Sequence, residues 1–292
     1  FDMKGGIVCL LVILPLIIFI KGALIVRVSL VITAAFFALF AAPVFLFLRE
    51  RAQPQRLPPG ETYLSVGFKR LWRTIQDARK FREFIKFMVA FVVFNDGIMM
   101  ALDFAAIMGA VLFGMNQQQL ILLMIVVQAT SVGGAYAFGL VANRIGCKRS
   151  LIFSILLMLA SVIWMYFNST MLGFFIVAAL AGFALTGVQS VSRTMVATLS
   201  PAGHSAEFYG FFSMAGRTSS FIGPAVYGLV AATSAHWFEA RGIATLLAEQ
   251  AGQRVAILSI AVFLVAGLLL LLWVNEAKGR RAAQLSALEN LE

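Results

Sequence analysis

Three polar or unhindered residues in a row, Asn95-Asp96-Gly97, lie inside an apolar run from Phe84 to about Gly114, and Asp103 follows seven residues later. A carboxylate at the centre of a bilayer costs about 2.5–3.5 kcal/mol on insertion scales, so such a group faces a protein interior or a wet cavity. With helix entry near Phe84, Asp96 lies about 18 Å along the axis, close to mid-membrane. Asp103 falls nearly two turns on, on the same face and nearer the far surface. Gly97 beside Asn95 suggests local unwinding, which membrane helices tolerate only where a cavity is lined. The chemistry open to this stretch is carriage of a proton or contact with a solute. The alternative is a buried pair of carboxylates that only fixes helix packing.

The other ionisable and amide groups in apolar runs divide in the same way. Arg217 lies ten residues after Glu207, about 15 Å into its run; it is placed to meet a solute carboxylate or to neutralise Asp96. Gln128 and Gln189 line a cavity or tie helices together, an interaction worth about 0.6 kcal/mol on average in membranes. His204 and His236 are isolated, and Cys9 and Cys147 lack metal-ligand spacing and are placed where no disulfide is expected. Ser192-Arg193 has no nucleophile-elbow context, and no phosphate-cradling Gly-rich loop is present. No catalytic residue, metal site or cofactor is therefore expected, and enzymatic function is disfavoured.

The elements that must position these groups follow from composition. The chain has 292 residues, of which 61% are hydrophobic and 12% charged, about half the charge of an ordinary soluble domain; its mean hydropathy is +0.93. Repeated apolar runs of span length give an all-α polytopic membrane protein of about eight helices. Strand alternation is absent. The net charge of +10 resides mostly in loops between runs, which fits the positive-inside rule better than a nucleic-acid partner. The expected spans are Gly5–Ile20, Leu24–Leu48 with a kink at Pro43, Phe84–Met115, a run from Asn116 to about Val141, Leu151–Phe167, Met171–Val191, Phe208–Ala231 interrupted by Arg217 and Pro224, and Val255–Val274. Asn116 with Gln119 reads as a capping box, and Ser131, Gly133, Gly134 and Gly139 allow close helix approach. Between the second and third spans, Leu64–Arg82 reads as an amphipathic interfacial helix. Residues 192–207 and 232–254 read as connections, and the tail as polar and disordered beyond Arg281. Cations then fall in alternate loops, at 49–83, 143–150, 192–207 and the tail, which places these on the cytoplasmic side.

Several stretches resemble a known family. Gly139-Leu140-Val141-Ala142-Asn143-Arg144-Ile145-Gly146-Cys147-Lys148-Arg149 is similar to the loop Gly-x-Leu-Ala-Asp-Arg-x-Gly-x-Lys-Arg of the major facilitator superfamily. Phe94-Asn95-Asp96-Gly97, Gly187–Arg193, and Pro201–Gly210 followed by Gly216-Arg217 and Gly223-Pro224 resemble its autophagy-related vacuolar amino-acid effluxers and their bacterial relatives. The resemblance implies a twelve-helix transporter of which this chain supplies the fifth to twelfth helices. Residues 1–48 would end the N-terminal half, 49–83 form a cytoplasmic linker, 84–274 form the six-helix C-terminal half, and 275–292 form the tail. The missing N-terminal helices would be needed for function. It also implies a multi-pass permease for a small polar solute, such as an amino acid, in a bacterial inner membrane or a vacuolar one. Asn95, Asp96, Asp103, Gln128, Gln189 and Arg217 are then candidates for the path of the solute or a coupling proton. Gly139, Asn143, Arg144, Gly146, Lys148 and Arg149 form the cytoplasmic gate motif. Asn143 departs from the family's acidic residue, which weakens the charge–dipole part of that lock. The alternative function is a membrane receptor or scaffold that presents its basic loop.

Overall fold

The computed structural model describes residues 23–47, 62, 81–201, 205–219 and 221–289. The first apolar run and the interfacial segment Leu64–Lys80 lie outside the described residues. Within them the chain is helical throughout: α1 (Ala23–Phe47), α2 (Arg82–Phe113), α3 (Gln117–Ile145), α4 (Cys147–Phe167), α5 (Met171–Leu199), α6 (Ser205–Ser219), α7 (Ile222–Glu239), α8 (Thr245–Leu272) and α9 (Glu276–Glu289). Of these, α2, α3, α4, α5 and α8 are each long and apolar enough to cross a membrane. The protein is an all-α, polytopic membrane protein.

Two kinds of contact hold the bundle together. Small residues let helices meet at backbone distance. Gly134 of α3 lies on the backbone of Phe183 in α5, and Gly182 and Gly187 of α5 lie on Val127 and Phe138 of α3. The Ser131 hydroxyl completes this seam by donating to the Gly182 carbonyl at 3.0 Å. Gly267 of α8 lies against Phe94 of α2 in the same way. Such approach replaces the hydrophobic drive that lipid cannot supply between helices.

The second kind is capping of one helix by another. Helix termini leave backbone donors and acceptors unsatisfied. At the end where α2 begins, the Glu83 carboxylate accepts from the Asn275 N–H at 2.7 Å. Glu276 accepts from the N–H groups of Cys147 at 3.2 Å and Lys148 at 2.9 Å, the first residues of α4. Lys148 Nζ in turn donates to the Leu272 carbonyl at the close of α8 at 2.8 Å. At the opposite end α8 supplies the caps. Gln250 donates to the Val111 carbonyl at 3.0 Å, and Arg254 donates to the Tyr166 carbonyl at 2.9 Å. The Asn116–Gln119 capping box opens α3 with both reciprocal bonds, at 2.9 and 3.0 Å.

Four expectations change. The connection expected over 192–207 is shorter, because α5 continues to Leu199. The loop expected over 232–254 contracts to the few residues between α7 and α8. The tail is helical beyond Arg281 instead of disordered, with Gly279 seated on Leu199 and Glu83. The span expected over Phe208–Ala231 is two helices, α6 ending at Ser219 and α7 starting at Ile222.

Candidate functional site

The Asn95–Asp96 peptide lies near the middle of α2, and both side chains are buried. Successive residues on a helix point about 100° apart, so neighbours in sequence face different partners. Here the partners are the two halves of the interrupted span. One row of α2, containing Phe84 and Phe91, packs edge-on or tilted against Phe208 and Phe212 of α6, with ring centroids 4.6 and 4.3 Å apart. That row ends at Asn95, whose Nδ2 donates to the Gly216 carbonyl near the close of α6 at 3.4 Å. The next row is Asp96, Met100 and Phe104, and it meets α7. A Cβ on Gly223 would lie 2.8 Å from the Asp96 carbonyl oxygen and 3.1 Å from Met100 Cγ. Phe104 stacks on Tyr227 with centroids 4.0 Å apart. The change of partner helix therefore falls at the Asn95–Asp96 bond.

The polarity of the arrangement follows the helix ends. A helix closes with unsatisfied carbonyls and partial negative charge, and opens with unsatisfied N–H groups and partial positive charge. An amide donor faces the close of α6. Asp96 lies beside the opening turn of α7, where Gly223 packs on its backbone carbonyl. Phe221, the residue before α7, provides no side-chain cap of its own. Asp96 is 2% exposed, and its Oδ1 has no hydrogen-bond partner among the described residues.

The remaining candidates disperse. Gly97 does not unwind α2, which is continuous from Arg82 to Phe113. Its missing side chain admits α8 instead, with the Ile260 carbonyl 3.2 Å from where a Cβ would stand. Asp103 is exposed and does not join Asp96; seven residues separate them by about 10.5 Å along the axis. Arg217 is exposed and forms no ion pair with Asp96, so the counter-ion reading is not realised in this conformation. Gln128 and Gln189 are partly buried, and neither makes an interhelical hydrogen bond among the described residues.

In the gate motif, Gly146 alone separates α3 from α4 and takes φ +91°, a value that favours glycine. Gly139 faces open space. Asn143, Arg144 and Arg149 are exposed, while Lys148 closes α8. Sequence reasoning missed Glu83, Glu276 and the part-buried hydrogen bond of 2.7 Å from the Tyr227 hydroxyl to Gln253. Glu276 lies 129 residues from the backbone it caps, and no local pattern signals such a contact.

The profile of the family described as "Vacuole effluxer Atg22 like" matches residues 1–284. An uncharacterised MFS-type transporter, YxiO of Bacillus subtilis, is 28% identical over 205 residues, covering 70% of this chain and 47% of the relative. Autophagy-related protein 22 of Yarrowia lipolytica is 27% identical over 237 residues, covering 70% of this chain and 39% of the relative. The chain thus spans less than half the length of these two relatives. Among solved structures, a bacterial homologue of the human lysosomal transporter Spinster, inward-facing and unoccupied, superposes with a TM-score of 0.58. It is 16% identical, with 88% of this chain and 59% of that one covered, and shares the fold.

Proposed function

The chain belongs to the Atg22-like vacuole effluxer family, and from that premise we propose that it forms part of a secondary active transporter. It moves a small polar solute, with amino acids as the first class to test, by alternating access around a site at mid-membrane. The observation that carries this reading is the buried Asp96 carboxylate, with one oxygen unpartnered, at the junction of two half-helices. A charge kept at that depth without an ion pair has no evident packing benefit, since an unpaired buried charge costs several kcal/mol. Reversible uptake of a proton removes that cost and gives the group a coupling role. Arg217, exposed on α6, is the cation available to a solute carboxylate.

The cytoplasmic placement of the basic loops, the division into an N-terminal remnant, linker, six-helix half and tail, and residence in a bacterial or vacuolar membrane belong to the same reading. The names of the relatives, one bacterial and others autophagy-related, support a transporter without choosing the membrane. The test is uptake of labelled amino acids into proteoliposomes holding the full-length native protein, under an imposed pH gradient. Saturable uptake that collapses with the gradient is the expected result. Uptake of no amino acid, with or without a gradient, removes this solute class.

A further inference from the structure

At the end of the bundle opposite α9, one cation is held in place without a counter-ion. The Arg241 guanidinium lies over the Trp237 ring, 3.5 Å from its centroid. Arg241 is exposed, and it forms no ion pair or side-chain hydrogen bond among the described residues. A cation–π contact of this kind fixes the charge and leaves guanidinium N–H groups free to donate. Trp237 is also part of the wall of an open groove of about 360 Å³ where α7 meets α8, lined by Thr233, Ser234, Trp237, Phe238 and Val255. We propose that this groove is a phospholipid site, with an acyl chain against its apolar wall and the lipid phosphate on Arg241.

Depth favours a lipid over a water-borne ligand. Gly223 packs on the carbonyl of Asp96, the residue that stands near mid-membrane. Thr233 and Trp237 follow on α7 about 15 and 21 Å further along the axis. Along the membrane normal, the hydrocarbon ends about 15 Å from the midplane and the headgroup layer about 20–22 Å from it. The groove therefore starts at the edge of the hydrocarbon, and its cation stands at the level of the lipid phosphates. Trp and Arg both suit that level, with an apolar body below and a polar tip above. Leu246 and Leu247, in the opening turn of α8, are 64% and 57% exposed, and such apolar surface fits a membrane interface better than open water. Charge points to an anion. No acidic side chain lines the groove, and the Thr233 hydroxyl is spent within α7 on the Leu229 carbonyl at 2.6 Å. The inference needs only a chain that spans a membrane and does not rest on the transport reading.

The experiment reads which lipid occupies the groove. A photoreactive benzoylphenylalanine is placed at Thr233, in the groove, or at Val262, an exposed position of α8 outside it, in the full-length native protein. The bilayer holds equal parts of phosphatidylglycerol and a phosphate-free glycosyl diacylglycerol, and the adducts are identified by mass spectrometry after irradiation. At Thr233, phosphatidylglycerol adducts should exceed glycolipid adducts by about fivefold, the scale of one cation against an anionic lipid surface. At Val262 the adducts should follow the composition of the bilayer. Arg241→Gln should bring the ratio at Thr233 down to that at Val262. Trp237→Leu keeps an apolar wall but releases the guanidinium, and should lower the ratio about two- to fivefold. Both side chains are exposed, so neither change empties the core, and unchanged labelling at Val262 reports intact insertion. Equal ratios at the two positions in the parent, or a preference at Thr233 that survives Arg241→Gln, would overturn the proposal. So would adducts at Thr233 to a second protein copy in place of lipid. Loss of the preference on adding glycerol phosphate would assign the cation to a free phosphate and overturn the lipid assignment.

Discussion

At the scale of single residues, the motif Asn95-Asp96-Gly97 faces three directions around one helix turn: Asn95 donates to α6, Asp96 packs beside α7, and Gly97 leaves an empty position for α8. The sequence carried the depth and burial of Asp96, because an apolar run and the rise per residue suffice for that. It did not carry the assignment of partners. Depth alone left Arg217 either to meet a solute carboxylate or to neutralise Asp96; it lies exposed and does not pair with Asp96. Gly223 allows a direct check on that geometry. Gly223→Ala sets a methyl group 2.8 Å from the Asp96 carbonyl oxygen, a backbone atom with little room to yield. Gly228, on the same helix, has nothing within 4 Å of its Cβ position. Gly223→Ala should destabilise the protein by about 1–3 kcal/mol, the usual cost of overpacking. Gly228→Ala should be neutral or slightly stabilising. Thermal unfolding in detergent monitored by tryptophan fluorescence compares the two, and equal midpoints would show that α7 does not approach α2 as described.

At the scale of elements, the spans were legible and their ends were not. Hydrophobic runs located α2 to α5 and α8, and the Asn116 capping box was readable because its partners are three residues apart. The opening of α8 was read as loop because Glu249, Gln250, Gln253 and Arg254 are polar. Three of these four side chains are spent on Val111, Tyr227 and Tyr166 in other helices. Pro224 was read as an interruption of one span. It stands in the first turn of α7, where a missing N–H costs least. Likewise α9 looked disordered by composition, but Glu276 fastens it to the start of α4. Glu276→Gln should weaken this cap by about 0.3–1 kcal/mol through loss of charge at a helix N-terminus. Glu276→Ala should cost about 0.5–2 kcal/mol, the range for losing a side-chain cap. Hydrogen exchange at the Cys147 and Lys148 amides should rise in that order, while exchange at Asn168 to Gly173, at the far end of the bundle, stays unchanged. Equal protection of Cys147 and Lys148 in all three proteins would place Glu276 elsewhere.

At the scale of the whole molecule, α2 to α8 form a bundle whose two ends are tied by side chains from α4, α8, α9 and the opening of α2. Among the described residues, its middle contains the unpartnered Asp96 Oδ1. Ends tied in this way suit a body that moves as a unit, which is what alternating access needs. The family and fold agree with that use. The central claim is that Asp96 couples solute movement to a proton, and Asp96→Asn tests it most directly. The substituted amide keeps an acceptor oxygen for α7 but holds no titratable proton. In proteoliposomes with the full-length native protein, Asp96→Asn should abolish uptake driven by a pH gradient while preserving solute exchange at zero gradient. Gradient-driven uptake by Asp96→Asn at the parent's rate and with the parent's pH profile would contradict the account.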